Sequence, residues 1–425
     1  MSLLVLACLL VPDLVIGPSE VEIPTVGHEG YMRCEPSIGA SGKDVVVAWN
    51  DSIGGEHGSQ SGTAVGWAYS SDAGLTYKVG GYLSGKGGKL DGADSRIATT
   101  GDGRFILLVL SGEGIHLYDM SGKQMGTMND LGLAVGGADL DKPALAVDGK
   151  RLAIAYTKGT GEIWVARSAD GGRTFDQGVL VSEAVKKNRS GVSLVFDGPA
   201  LRAAWMEGAG NVATEASVAS APKWDRPFEP AHAAYRLTVS PKAPNGQAMA
   251  GYRDGAYGLF HYDTGLNVTR GEVQLSLVEG TKLGSRVLVL RSKNGGKAWG
   301  KPIEVSALFP SGSNSYAAVC PLKNEVTVLY YHQEANATDG STDVIMTSLS
   351  QDASFSATVS SQPTPWKNVL GDAKRAPIQR VFGDYISVAN NGKDELYAAW
   401  TDGRAGGSTI MVRHLTAFPT VRRYR

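Results

Sequence analysis

The sequence predicts an all-β chain folded as a β-propeller of four-stranded antiparallel blades. Three observations predict it: a short turn written three times, alternating apolar runs that end in tryptophan, and polar clusters recurring ahead of short apolar strands. The turn reads YSSDAGLTYK from Tyr69, RSADGGRTFD from Arg167 and RSKNGGKAWG from Arg291. Its pattern, Ser-x-Asp-x-Gly-x-Thr-aromatic, rests on Ser70, Asp72 and Gly74, then on Ser168, Asp170 and Gly172. A worn third copy carries Ser292, Asn294 and Gly296. A full match arises by chance about once in 10⁶ start positions at ordinary residue frequencies.

The second element is the strand with period-two alternation. DVVVAWND, LRAAWMEG and ELYAAWTDG put Trp49, Trp205 and Trp400 near strand ends, and LAIAYTKG, VQLSLVEG and VTVLYYHQ are weaker versions. The third is the opening of each unit: CEPSIGA, ADSRIAT, DKPALAV, RSGVSLV and GDYISVA. Ser70 and Ser168 lie 98 residues apart, and Trp49 and Trp205 lie 156 apart, which are two and three units of blade length. Openings near Glu35, Asp94, Asp141, Ser190, the 232–262 region, Asn314 and Asp384 give seven blades. Six and eight are the alternatives, because RLTVSPKAPNGQAMAGYRDGAYGLFHYDTG reads as one blade's inner strands plus an inserted hairpin.

The propeller is expected over residues 21–418, followed by a basic tail, 419–425. Residues 1–20 read as a truncated signal peptide or a first strand. Their apolar run, Leu3 to Val11, is too short to span a bilayer, and the first Lys or Arg is Arg33. Of the 425 residues, 42% are hydrophobic, enough for a substantial core, and 55 glycines spread between apolar segments suggest many tight turns. A formal net charge of -1 leaves no global basic footprint for nucleic acid. Cys8, Cys34 and Cys320 are too few for a disulfide framework and lack metal-pair spacing, leaving buried thiols or one bridge. GGYLSGKG has the glycine and lysine spacing of a phosphate loop, but Gly87 replaces the required hydroxyl residue and a hairpin loop is the better reading. Asn188, Asn267 and Asn336 open glycosylation sequons. No cofactor and no metal is expected.

Gly and Asp permit the tight backbone of the repeated turn, and Ser and Thr hydroxyls can tie down its remaining groups, so the turn reads as a structural staple. In these residues the chain resembles the Asp-box, or bacterial neuraminidase repeat, of sialidase-like propellers. The likeness runs roughly from Glu35 to Leu415, and with FGDYISVA and LYAAWTDGR it extends to secreted bacterial proteins grouped with the exo-sialidases. The same repeat occurs in sortilin-like receptors, photosystem assembly factors and endoglucanases, so it implies the fold more strongly than an activity.

With the turn between a blade's third and fourth strands, the openings and the Trp-strand ends converge on the opposite mouth of the channel. That places Arg33, Glu35, Asn50, Asp51, Asp94 and Arg96 there, with Asp141, Lys142, Arg189, Glu207 and Glu279. His332, Glu334, Asp384, Tyr385, Asp402 and Arg404 complete the ring. Taken singly, each is a polar strand end of the kind any propeller solvates; as a set they suit a hydroxyl-rich ligand such as a glycan.

The resemblance implies a sialidase-type hydrolase with Tyr385 as nucleophile, Glu279 as its partner and Asp94 as acid/base. Arg33, Arg96 and Arg404 would clasp a sugar carboxylate, with Glu35, Asp141, Glu207 and Asp402 as further binding residues. RCEP departs from the family's Arg-apolar-Pro opening by inserting Glu35, which sets a negative charge beside such a ligand. The alternative is a non-catalytic propeller that binds a glycan or a protein at the same mouth. Expected with either are a glycan partner, no nucleic acid, no transmembrane segment, a monomer, and a secreted, periplasmic or cell-surface location.

Overall fold

A computed structural model describes residues 20–24, 32–53, 63–83, 90–159, 161–183, 187–209, 212–239, 264–309, 311–322, 325–335, 337, 341–350, 354–365, 383–404 and 408–416. The Leu3–Val11 run, Cys8, the end of GGYLSGKG, Asn336 and the basic tail lie outside these residues. Every sheet is antiparallel, and there are seven.

β1 (Val21–Glu22) is a short strand at the start of the described chain. Blade 1 follows with β2 (Arg33–Ser41), β3 (Asp44–Asp51), β4 (Ala64–Ser70) and β5 (Lys78–Leu83). Blade 2 is β6 (Ala93–Thr99), β7 (Arg104–Ser111), β8 (Gly114–Ser121) and β9 (Asn129–Gly136). Blade 3 is β10 (Leu140–Asp148), β11 (Arg151–Lys158), β12 (Glu162–Ser168) and β13 (Val179–Leu180). Blade 4 is β14 (Asn188–Asp197), β15 (Ala200–Ala209), β16 (Val212–Ala221) and β17 (His232–Arg236). Blade 5 is β18 (Gly265–Thr269), β19 (Glu272–Thr281), β20 (Gly284–Ser292) and β21 (Ile303–Glu304). Blade 6 is β22 (Ser313–Leu322), β23 (Glu325–Gln333), β24 (Ser341–Leu349) and β25 (Ser354–Thr358), with β26 (Thr364–Pro365) also paired to β24. Blade 7 is β27 (Ser387–Asn390), β28 (Glu395–Asp402) and β29 (Thr409–Thr416), and β1 supplies its outer strand.

The expected seven blades are therefore present, with one correction of boundary. Residues 232–236 close blade 4 as its outer strand, and the inner strand of blade 5 starts at Gly265. The sequence placed that opening in 232–262 because the stretch from Arg236 reads as inner strands plus an inserted hairpin; most of the intervening stretch, 240–263, is outside the described residues.

The core is a ring of seven inter-blade layers, one between each neighbouring pair of sheets. β3 shows why alternation yields this. Val45, Val47 and Trp49 pack toward blade 7, while Val46 and Ala48 pack toward blade 2. Because both faces are covered, the strand reads as a nearly continuous apolar run. At 25 cal/mol per Å² of apolar surface, each large buried side chain stabilises the fold by roughly 1.5–3 kcal/mol. The N-terminal strand closes the ring through Val21–Val412 and Glu22–Met411 pairing. Glu20 ties it to blade 7 with an ion pair to Arg404 at 2.7 Å, and to blade 6 with a hydrogen bond from the Ser361 hydroxyl at 2.6 Å.

The repeated turn joins the third and fourth strands of blades 1, 3 and 5, as its chemistry predicts. Ser70 Oγ donates to Asp72 Oδ1 at 2.7 Å and accepts the Gly74 amide at 2.9 Å. Asp72 also accepts the Thr76 amide and hydroxyl at 2.9 and 2.6 Å. Ser168, Asp170, Gly172 and Thr174 reproduce each contact. Ser292, Asn294 and Gly296 keep the same frame, and Ala298 forfeits only the hydroxyl bond. The central glycines have φ of +77°, +90° and +87°, a conformation that a side chain would strain. Tyr77, Phe175 and Trp299 turn inward between blades.

These bonds favour the ionised carboxylate, chiefly through Thr76 and Thr174, and hold Asp72 down at about 2 and Asp170 well below its usual range. A depressed folded value means stability that is present above the unfolded carboxylate range and lost as pH falls through it. Asp170→Ala is therefore expected to lower Tm at pH 7 without changing ligand affinity. The Tm difference from wild type should shrink as pH is taken from about 4 toward 2, which thermal melts across pH would measure.

Candidate functional site

The inner strands reach the channel mouth through a repeated irregularity. In blades 1, 2, 3, 4 and 6 the inner strand sets two residues against one on its neighbour. The first of each pair is Glu35, Asp94, Lys142, Gly191 and Tyr316, and every one has positive φ, from 48° at Lys142 to 67° at Gly191. Such bulges bend a strand and re-aim its side chains. A non-glycine residue held there costs of order 1–3 kcal/mol and persists only where its surroundings impose it. Pro36 and Pro143 follow Glu35 and Lys142, at positions where no ladder N–H is needed.

These bulges gather one polar cluster. Lys142 Nζ, nine-tenths buried, pairs with Asp384 and lies 3.8 Å from Asp94. Glu35 accepts the Asn50 side-chain amide at 2.5 Å and the Asp384 backbone N–H at 2.9 Å. Asn50 in turn accepts the Asp94 N–H at 3.0 Å. Gly383, with φ of +79°, presses on Glu35 so closely that an added Cβ would come within 2.1 Å of its Cγ. The Arg96 guanidinium covers the Tyr385 ring at 3.5 Å, with Lys142 Nζ 5.0 Å from the same centroid. Tyr316 donates its hydroxyl to the Gly383 carbonyl at 2.7 Å. Below lies a channel cavity of about 200 Å³, lined by all seven blades, with Arg96, Asp384, Tyr385 and Tyr316 among its walls.

Burial raises Glu35 well above the carboxylate range, reinforced by the charges of Asp384 and Asp94. Burial alone would push Asp94 up as well, but Lys142 and the hydrogen bond from Glu35 keep it low and ionised. Lys142, despite burial, is held well above its ordinary value by Asp384 and Asp94. Asp141, half-buried and next to Lys142, is pushed up to about 6 by burial, which outweighs the Lys142 charge.

The structure thus brings together Tyr385, Asp94, Arg96, Glu35 and Asp141. It does not bring the other expected residues to that cluster. Arg33 is engaged by Asp51 at 3.2 Å and lies 5.3 Å from the centroid of the Trp49 ring. Arg404 is engaged by Asp402 at 2.9 Å and by Glu20, so the three arginines do not converge as a clasp. Glu279 is filled by Arg286 at 2.6 Å, the Thr238 amide at 2.7 Å and the Tyr235 hydroxyl at 3.0 Å, and does not line the cavity.

Glu207 and Asp402 belong to a repeated structural device. The tryptophan two residues earlier donates its indole N–H to the acid, as Trp205 does to Glu207 and Trp400 to Asp402, and Trp49 to Asp51. An arginine then neutralises each acid. The Trp-x-acid spacing was visible in the sequence as a repeat and is explained by this bond. Tyr316 was missed because NSYAAV reads as plain alternation; aligning it with CEP and DKP as a bulge would have found it.

Cys34 and Cys320 are buried as thiols, and burial pushes Cys320 up to about 12. Among the described residues no set of His, Cys, Asp and Glu is arranged to hold a metal ion, and no helix is long and apolar enough to cross a membrane.

No family profile and no curated sequence matches the chain. Its fold is shared with solved structures at low identity. A protein of unknown function from Dyadobacter fermentans is 13% identical with a TM-score of 0.51, over 95% of this chain and 98% of that one. An ulvan lyase of polysaccharide lyase family PL25 is 8% identical with a TM-score of 0.57, over 94% and 96%. A sialidase of Trypanosoma rangeli is 11% identical with a TM-score of 0.42, over 94% of this chain and 59% of that one. The chain is a seven-bladed β-propeller, similar in fold to the ulvan lyase and to the Dyadobacter protein.

Two outcomes are expected of the cluster. Lys142→Met strands Asp384 and Asp94 as buried charges and should cost roughly 3–5 kcal/mol, seen in denaturant melts. Asp141→Asn should raise Tm at pH 8. A raised folded value means stability present below the unfolded range and lost as pH rises through about 6, so the gain over wild type should fade as pH drops toward 4.

Proposed function

We propose that the chain is a carbohydrate-active propeller, secreted or surface-attached, that takes a polar glycan at the channel mouth. The observation that carries this reading is the buried cluster of Glu35, Asp94 and Lys142, each in a strained backbone, packed against Asp384 and Tyr385, which with Tyr316 and Arg96 line the channel cavity. Strain of this kind concentrates where a fold holds groups for a ligand. Partly exposed Asp141 and Arg96 offer a sugar one acceptor and one forked donor. The ulvan lyase that shares the fold supports a polysaccharide ligand by analogy of fold alone.

Sialidase-type hydrolysis is a second and finer reading, favoured by Tyr385 and Asp94 both lying beside Lys142. The pairing of Arg33 with Asp51 and Arg404 with Asp402 favours binding without that chemistry, since a carboxylate clasp would have to break both pairs.

A glycan array followed by calorimetry tests the first reading. Wild type should bind at least one glycan, and Arg96→Ala should weaken it tenfold or more with Tm little changed; a protein that retains no glycan contradicts the proposal. A fluorogenic sialoside tests the second. Turnover that Tyr385→Phe abolishes would support it, and a wild type without turnover removes it.

A further inference from the structure

We infer that the mouth selects an uncharged or amino-bearing glycan and discriminates against carboxylated and sulfated ones. This rests on the glycan reading above and narrows it. Among the described residues the cluster holds four carboxyl groups, on Glu35, Asp94, Asp141 and Asp384, against two cations, Lys142 and Arg96. Lys142 is committed to Asp384 and Asp94, which leaves Arg96, over the Tyr385 ring, as the cation of the cluster that is partly exposed. The neighbouring arginines are already neutralised, Arg33 by Asp51, Arg189 by Glu207, Arg286 by Glu279 and Arg404 by Asp402.

An acidic sugar would bring a like charge to a site that stays negative even with Glu35 protonated. Such juxtaposition is how interfaces reject wrong partners. Sugar hydroxyls and ammonium groups are donors, which carboxylates accept.

A second observation points the same way. Ser190 and Ser315 stand, like Asp141, at the last paired residue before the bulge, in blades 4 and 6. Both hydroxyls are buried and lack a hydrogen-bond partner among the described residues. The ring positions equivalent to Asp141 in blades 4 and 6 thus carry no cation that could join a clasp for an anion.

The test is an array of matched backbones in neutral, amino and carboxylated or sulfated forms, with calorimetry on the best binder and its acidic counterpart at pH 7.5. Binding of the neutral or amino form at least tenfold tighter, with the ratio reduced in Asp141→Asn, is the expected result. Equal or tighter binding of the acidic form overturns the inference while leaving glycan binding intact. No binding to any form removes the glycan reading, and the inference with it.

Discussion

Each sheet of this protein has two apolar faces, and only a closed ring covers both. That constraint makes the pairing of β1 with β29 more than a local contact, because without it blade 7 lacks its outer strand. It also fixes what happens at the axis. Seven inner strands converge on a channel lined by small residues such as Ala144, Ser193, Gly265, Ala317 and Ser387, interspersed with Leu145, Leu194 and Leu266. At the mouth the strands bulge, and the bulges carry the groups that chemistry can use.

The electrostatics of the mouth follow from that convergence. Blade 1 supplies Glu35, blade 2 Asp94, blade 3 Lys142 and blade 7 Asp384, so four separate sheets meet in one buried network. Removing charges from water is costly, and the network offsets the cost by matching an ammonium to two carboxylates, while burial raises the remaining carboxyl, Glu35, toward its neutral form. Burial separates the roles further. Glu35, Asp94 and Asp384 are almost fully enclosed, and Asp141 is the carboxyl of the cluster most open to solvent.

The tryptophan strands show how one pattern can suggest two functions. Acids two residues after Trp49, Trp205 and Trp400 sit at the right end of the blade to bind a ligand, and the sequence grouped Glu207 and Asp402 with the binding residues. Their partners are an indole N–H and an arginine each, which makes them devices that anchor the strand end. The same pairing removes Arg33 and Arg404 from a clasp. Arg33–Asp51 and Arg189–Glu207 pair across strands, which no spacing along the chain reveals, whereas Arg404 and Asp402 lie two residues apart.

What the sequence by itself determined is local and repetitive. Period-two alternation and the staple turns specify four-stranded units, because each depends on residues close in the chain, and the blade-length spacing favours seven of them over six or eight. The staple was legible down to single bonds, and even the worn copy behaves as its Ala298 dictates. Which polar residues at the mouth meet was decided only by the tertiary structure. Glu35 and Asp384 are 349 residues apart, and Lys142 and Asp384 are 242 apart, yet ring closure makes them neighbours. Whether an arginine faces a ligand or an internal acid depends on cross-strand register and on bulges, and those are set when the sheets close around the axis.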